Sequence, residues 1–344
     1  MKNILFQGLI LLFSLHALLM ADLIRPSNNS EISFIHVLFE WDQEADANEY
    51  NLQLSKSSNF QNLLIDESIS ENVYVYKDHI DWDDGYYWRV RPIDADGNVG
   101  EWLNTFIFEI LDDRRGSIDV DVFDDEQTDD GLTLMGSIGN DYYSIVIDED
   151  GREVWNDDNL NINVNHVNQY GQLSGYSTND PWPTNTGILI NYDNDITWNG
   201  PANEEYVDIH EVKSIPGGHY MGFTWKFEDG PIPLGSWTNI FQSFGYEADG
   251  ETLEFPWAGQ RITEWDEEGN IIWDWDPFEH FTMDDYDAYG GTWWAALQQG
   301  FYDWMHSNAF HFDEVESVIY FSSRHLSRLT KIAYPSGEVI WMMG

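Results

Sequence analysis

The sequence predicts an all-β protein, a small N-terminal β-sandwich followed by a β-propeller of which about four blades are present. Three observations carry this. Short β-branched and aromatic runs alternate with Gly, Pro, Asp and Asn turns. Aromatic residues make up 16% of the chain, with 17 Trp among them. A hairpin unit also recurs, as YSIVIDEDGREVW at Tyr143–Trp155, ITEWDEEGNIIW at Ile262–Trp273 and LTKIAYPSGEVIW at Leu329–Trp341. Aligned on Gly151, Gly269 and Gly337, each unit has a Trp four residues later, at Trp155, Trp273 and Trp341. Glycine there permits the positive φ of a hairpin bulge. Ile188–Trp198 is a shorter version, and the four Trp are spaced by 43, 75 and 68 residues, as blades with insertions would be.

Taken in order, the chain starts with Lys2 and a mostly apolar run from Ile4 to Met20, ending at Ala21. This predicts a signal peptide over residues 1–21 and a periplasmic or secreted mature protein. The alternative, a membrane anchor, has to accommodate Gln7 and His16 in a run near the minimum spanning length. No later stretch is apolar enough to span, so no membrane association is expected after cleavage. The formal net charge is −47, from 62 acidic and 15 basic residues. Such a field excludes nucleic acid as a partner and favours solubility. With no cysteine, disulfides, thiol nucleophiles and thiolate metal sites are excluded.

Residues 22–111 read as strands at Val37–Trp41, Glu49–Ser55, Val73–Tyr76, Gly85–Pro92 and Thr105–Ile110, with a turn at Asp94–Gly97. The pattern Trp41, Tyr50, Tyr87-Trp88-Arg89-Val90-Arg91, Gly97 and Trp102 resembles a fibronectin type III domain. In such a sandwich Tyr86 or Tyr87 would be the corner tyrosine. No catalytic set is visible here, and a spacer or binding module is expected. Residues 112–130 read as an acidic linker, since their spacing is not that of an EF-hand calcium loop.

Residues 131–344 carry the blades. Inner strands are expected at Gly131–Ser137, Asn163–Gln169, Val207–Phe223 and Trp304–Phe312, each ahead of its outer hairpin. His166, His210 and His306 then occupy similar places, facing a central channel. The stretches 224–261 and 274–303 are rich in aromatic residues, Gly and Pro. They either wall the channel mouth for a planar substrate or fill small cores of their own.

In the last unit His306 and Asn308 are two apart, which on a strand sends both to one side. Arg324 ends the next strand and returns to the same end of the sheet. Imidazole, amide and guanidinium together suit an oxyanion such as sulfate. Taken alone, each His has a simpler explanation as a structural or surface residue, and Arg324 as one half of a surface ion pair. His311 is expected to point away, and His280 and His325 to be loop residues. A zinc site built from His166, His210 and His306 is the rival chemistry, but no tight ligand spacing supports it.

The run Asp303-Trp304-Met305-His306-Ser307-Asn308-Ala309, then Ser322-Ser323-Arg324, then Lys331 to Gly344 resembles the bacterial aryl-sulfate sulfotransferases closely over about forty residues. A weaker likeness reaches back to about Gly131. In Asp208-Ile209-His210-Glu211-Val212 it departs from the family, where a second His often stands at the place of Ile209.

The resemblance implies a six-bladed propeller and transfer of a sulfuryl group from a phenolic sulfate ester to a phenol through a sulfohistidine, with no nucleotide donor, cofactor or metal. It implies His306, Arg324 and His210 as catalytic residues, with Asn308 and His166 in substrate binding, and a nucleophilic histidine in a blade beyond Gly344. A C-terminally truncated chain is therefore expected; closure through a homo-oligomer is the alternative. A non-catalytic propeller binding glycans or protein partners is the competing function.

Overall fold

The computed structural model describes residues 21–121, 124, 126–128, 131–136, 143–179, 186–200, 207–287 and 291–344. The expected signal peptide, apart from Ala21, lies outside the described residues. The fold is all-β, in several sheets, none of them closed among the described residues. The chain divides into two units, Met1–Asp112 and Asp113–Gly344.

The first unit holds β1 (Leu23–Arg25), β2 (Ser30–Ile32), β3 (Val37–Trp41), β4 (Ala47–Ser55), β5 (Leu63–Ile69), β6 (Val73–Tyr76), β7 (Asp84–Asp94) and β8 (Thr105–Ile110). They form two sheets, β1-β3-β6 and β2-β8-β7-β4-β5. Alternation explains the packing: in β3 Val37, Phe39 and Trp41 point inward, and in β7 Tyr86, Trp88 and Val90 do. Phe39 meets Trp88 edge-on at 5.1 Å, joining the two sheets. Of the two candidate corner residues it is Tyr86 that is buried, and its hydroxyl accepts from the Asp81 N–H at 2.8 Å. The short β1 and β2 and the seven-residue β5 were not apparent in the sequence.

The second unit holds four antiparallel meanders. They are β9 (Thr133–Gly136), β10 (Ser144–Ile147) and β11 (Glu153–Asn156); β12 (Ile162–Val167), β13 (Leu173–Ser177), β14 (Gly187–Ile190) and β15 (Ile196–Gly200); β16 (Val207–Ile215), β17 (His219–Pro231), β18 (Leu253–Trp265) and β19 (Ile271–Trp275); and, after a short β20 (Tyr302–Asp303) on the edge of β18, β21 (Ser307–Asp313), β22 (Val318–Ser323), β23 (Arg328–Ala333) and β24 (Val339–Met343). The first strands neighbour one another, β9 beside β12, β12 beside β16 and β16 beside β21.

Side chains stitch neighbouring meanders where no ladder joins them. The Ser144 hydroxyl donates to the Ile162 carbonyl and accepts from the Val164 N–H. Asp157 accepts from the N–H groups of both Ser144 and Ile162, with Arg114 on its other oxygen. Even so, burial pushes the Asp157 carboxyl up to about 6. Lys213 donates to the Phe310 carbonyl and Glu211 accepts the Phe310 N–H, fastening β16 to β21.

The repeated hairpins form as predicted, with Gly151, Gly269 and Gly337 at φ 77°, 81° and 76°. The second hairpin is not merely shorter, because Asn194, at φ 62°, stands four residues before Trp198 and takes the glycine's place. Each of the first three outer strands docks on the next sheet through its Trp. Trp155 donates to the Tyr192 carbonyl, Trp198 stacks on Tyr220 at 4.1 Å, and Trp273 donates to the Pro335 carbonyl.

The connector departs from expectation, and the aromatic stretches take one of their two expected courses. The first part of the charged connector is tied down: Glu153 accepts the N–H groups of Arg114, Arg115 and Gly116, and Ile118 bonds to Gly151. The aromatic stretches 224–261 and 274–303 mostly fill a core. They lengthen β17 and β18, add helices α1 (Thr238–Ser243) and α2 (Gly291–Gln299), and bury Trp237, Phe241, Phe255, Trp257, Trp293 and Tyr302 together.

Candidate active site

The site lies where β16, β18 and β21 carry polar side chains toward one another, and irregular backbone positions all of them. In β16, Val207 pairs with Thr224 and Val212 with Gly222, so the four residues Asp208–Glu211 stand opposite the single Phe223. His210 sits on this bulge. His306 precedes β21 with φ at 46°, in the left-handed region that a non-glycine residue rarely adopts. Asn308 is the extra residue of a bulge between Ser307 and Ala309. The two-residue alternation that paired His306 with Asn308 therefore does not apply: the turn at His306 and the bulge at Asn308 both break the pleat. Bulges and left-handed residues re-aim side chains, and here they do so at both histidines.

His306 and His210 meet edge to face, with ring centroids 5.3 Å apart. Each is held at Nδ1 by an aspartate of its own segment. His306 Nδ1 bonds Asp303 Oδ2. His210 Nδ1 bonds Asp208 Oδ1 at 2.5 Å. A carboxylate only accepts, so both histidines carry hydrogen on Nδ1 and leave Nε2 for chemistry. Arg324 Nη1 lies 3.3 Å from His306 Nε2, and a guanidinium only donates, which fixes the same tautomer from the other side. Arg324 is exposed and makes no ion pair among the described residues. The hydrogen bond to Asp208 raises His210 above the ordinary imidazole range, against the opposing effect of burial.

Asp208, Asp303, Gln260 and His325 were not singled out in the sequence. Gln260, buried on β18, bridges the two halves: its Oε1 accepts the Ser307 N–H at 2.9 Å and its Nε2 approaches Asp208 Oδ2 at 3.5 Å. His325, expected in a loop, packs its ring 4.7 Å from that of His306 and donates from Nδ1 to the Asp303 carbonyl. Asp303 stood inside the quoted motif without a role; Gln260 left no local signal, because only the sheet register brings it there.

His166 is on β12, beside a bulge at Asn165, and makes no hydrogen bond or ring contact with His210 or His306. Burial lowers its pKa, and nearby Lys213 adds to that. The zinc set of His166, His210 and His306 is therefore not what converges. Asp303, His306 and His325 do place one donor each within 4.8 Å of one another, and so could hold a cation. His306 Nδ1 is already bonded to Asp303 Oδ2, while Asp303 Oδ1 is buried with no hydrogen-bond partner among the described residues.

An all-β chain with a cluster of histidine, arginine and aspartate side chains on its third and fourth meanders is thus the class of protein. Residues 246–344 match the model of the family Arylsulfotransferase (ASST), which covers under a third of the chain. The segment contains His306, Asn308 and Arg324 and stops short of His210 and His166. No curated protein matches the chain. Kuenenia stuttgartiensis hydrazine synthase is a similar solved structure at 10% identity, covering 89% of this chain and 76% of that one with a TM-score of 0.35. A likeness of that size assigns neither fold nor activity.

Proposed function

We propose that the protein is an aryl-sulfate sulfotransferase built on a β-propeller behind a fibronectin-III-like sandwich, and that it works in the periplasm or outside the cell. The donor is a phenolic sulfate ester and the acceptor a phenol. The observation that carries this reading is the meeting of Arg324 with two histidines whose Nδ1 atoms are each held by an aspartate. In a chain of net charge −47, this cluster offers an anion hydrogen-bond donors and a fixed positive charge.

The sulfuryl oxygens take the place of the Arg324–His306 contact and accept from the guanidinium, with Asn308 beside them. In the first half-reaction a histidine nitrogen attacks sulfur, the S–O bond to the aryl group breaks, and the bonding pair leaves on the phenol oxygen. Protonated His210 gives that oxygen its proton. In the second half-reaction neutral His210 takes the proton of the acceptor phenol as its oxygen attacks sulfur, and the N–S bond breaks. The histidine is restored and the new aryl sulfate leaves. His306 and Arg324 act on the sulfuryl oxygens.

The test is release of 4-nitrophenol from 4-nitrophenyl sulfate by the full-length protein with phenol as acceptor. His306→Ala and Arg324→Ala should each lose turnover by about 10²-fold or more, as the loss of a fixed oxyanion donor does. Near wild-type rates in both would sink the assignment. No release by the unaltered protein would favour a binding propeller.

A further inference from the structure

Most aromatic side chains of the insertions are buried, but Trp225, Phe227 and Phe301 form a separate group. Trp225 and Phe227 stack at 6.0 Å, and Phe301 meets them edge-on at 5.9 and 5.6 Å. The register places this group. Trp225 pairs with Gln260 across β17 and β18; Phe227 pairs with Ala258, and Ala258 with Asp303 on β20. Paired residues, and residues two apart, share a sheet face. The aromatic group therefore stands on the same face as Gln260 and Asp303, the two residues that hold the histidine segments. Ala258, between the two flanking strands, is fully buried.

Beyond this group lies an open cleft of about 420 Å³ lined by Phe227, Glu228, Asp229, Pro256, Gly300 and Phe301. Glu228 and Asp229 are exposed, and neither is paired with a cation among the described residues. Lys226 pairs instead with Asp276 at 3.4 Å. The cleft thus combines an aromatic wall with an uncompensated negative rim. Aromatic faces and carboxylates together attract an organic cation.

We propose that this cleft is the acceptor subsite and that it selects phenols carrying an ammonium group. The ring lies against Phe227 and Phe301, the hydroxyl points along the shared face toward the histidines, and the ammonium group reaches Glu228 and Asp229. The proposal rests on the sulfotransferase reading for its turnover, but not for its binding.

The experiment compares 4-(aminomethyl)phenol with 4-hydroxyphenylacetate as acceptors from 4-nitrophenyl sulfate, and titrates both compounds against the full-length protein by calorimetry. Expected is a kcat/KM and an affinity at least about tenfold higher for the cationic phenol, the size a partly desolvated charge contact supplies. The double variant Glu228→Gln, Asp229→Asn should bring that ratio toward one. Phe227→Ala should weaken all ring acceptors alike. Equal acceptors in the unaltered protein, or a ratio that the double variant leaves intact, would overturn the proposal. Selective binding without turnover would uphold the cleft and fail only the reaction.

Discussion

At the scale of single residues, the aspartates behind the histidines decide what the histidines can do. His210 faces Asp208, Asp303 and Arg324; the first two raise its pKa and the arginine lowers it. A raised pKa means the proton is held to higher pH, so the donor half-reaction, which needs protonated His210, is supported at low pH and lost as pH rises through that value. Asp208→Asn removes the largest raising cause. The basic limb of kcat/KM for 4-nitrophenyl sulfate should then move to lower pH, while the plateau rate at low pH falls less than it does in His210→Ala. An unmoved limb would show that another group titrates there. The sequence showed His306, His210 and Arg324 because residue type and motif mark them. It did not show Gln260 or His325, because their roles come from strand register and a turn rather than from spacing. The alternation it applied to His306 and Asn308 fails because one residue there is extra.

At the scale of elements, the repeated hairpin was legible and its function in packing was not. The glycine–tryptophan spacing marked the outer hairpins, and it also fitted the second once Asn194 is recognised as a residue that tolerates positive φ. What the spacing leaves out is where each Trp goes. Trp273 donates to the Pro335 carbonyl and meets Tyr334 edge-on at 5.3 Å, so it joins the third meander to the fourth. Trp341 occupies the same place in its own hairpin but is 37% exposed, beside exposed Ile340, Met342 and Met343. Equivalent positions should therefore differ in cost. Trp273→Ala is expected to destabilise by about 3 kcal/mol, the range for removing a packed aromatic residue. Trp341→Ala in residues 1–344 should cost under about 1 kcal/mol. Denaturant unfolding of both variants checks this, and equal losses would mean that the hairpin rather than the docking sets the cost. The first strands were also legible, but not the stitching between meanders by Ser144, Asp157, Glu211 and Lys213, since such side-chain to main-chain bonds leave no periodic trace.

At the scale of the whole molecule, the charge sets the conditions under which everything else operates. Sixty-two acidic against fifteen basic residues leave most carboxylates without a cationic partner. Self-repulsion on this scale destabilises the folded chain at low ionic strength, because unfolding lets the charges separate. The Debye length falls from about 30 Å at 0.01 M salt to about 3 Å at 1 M, so added salt screens the repulsion while buried hydrogen bonds and aromatic packing are little affected. The unfolding midpoint should rise steadily with sodium chloride across that interval. The same field opposes an anionic donor. The KM for 4-nitrophenyl sulfate should therefore fall as salt is first added, and rise again once chloride competes at Arg324. With uncharged phenol varied at saturating donor, the first fall should be absent, because a neutral molecule does not feel the long-range field. A KM for the donor that only rises with salt would mean that the local charge of Arg324 outweighs the net charge even at a distance, so that the acidic surface has no part in substrate approach.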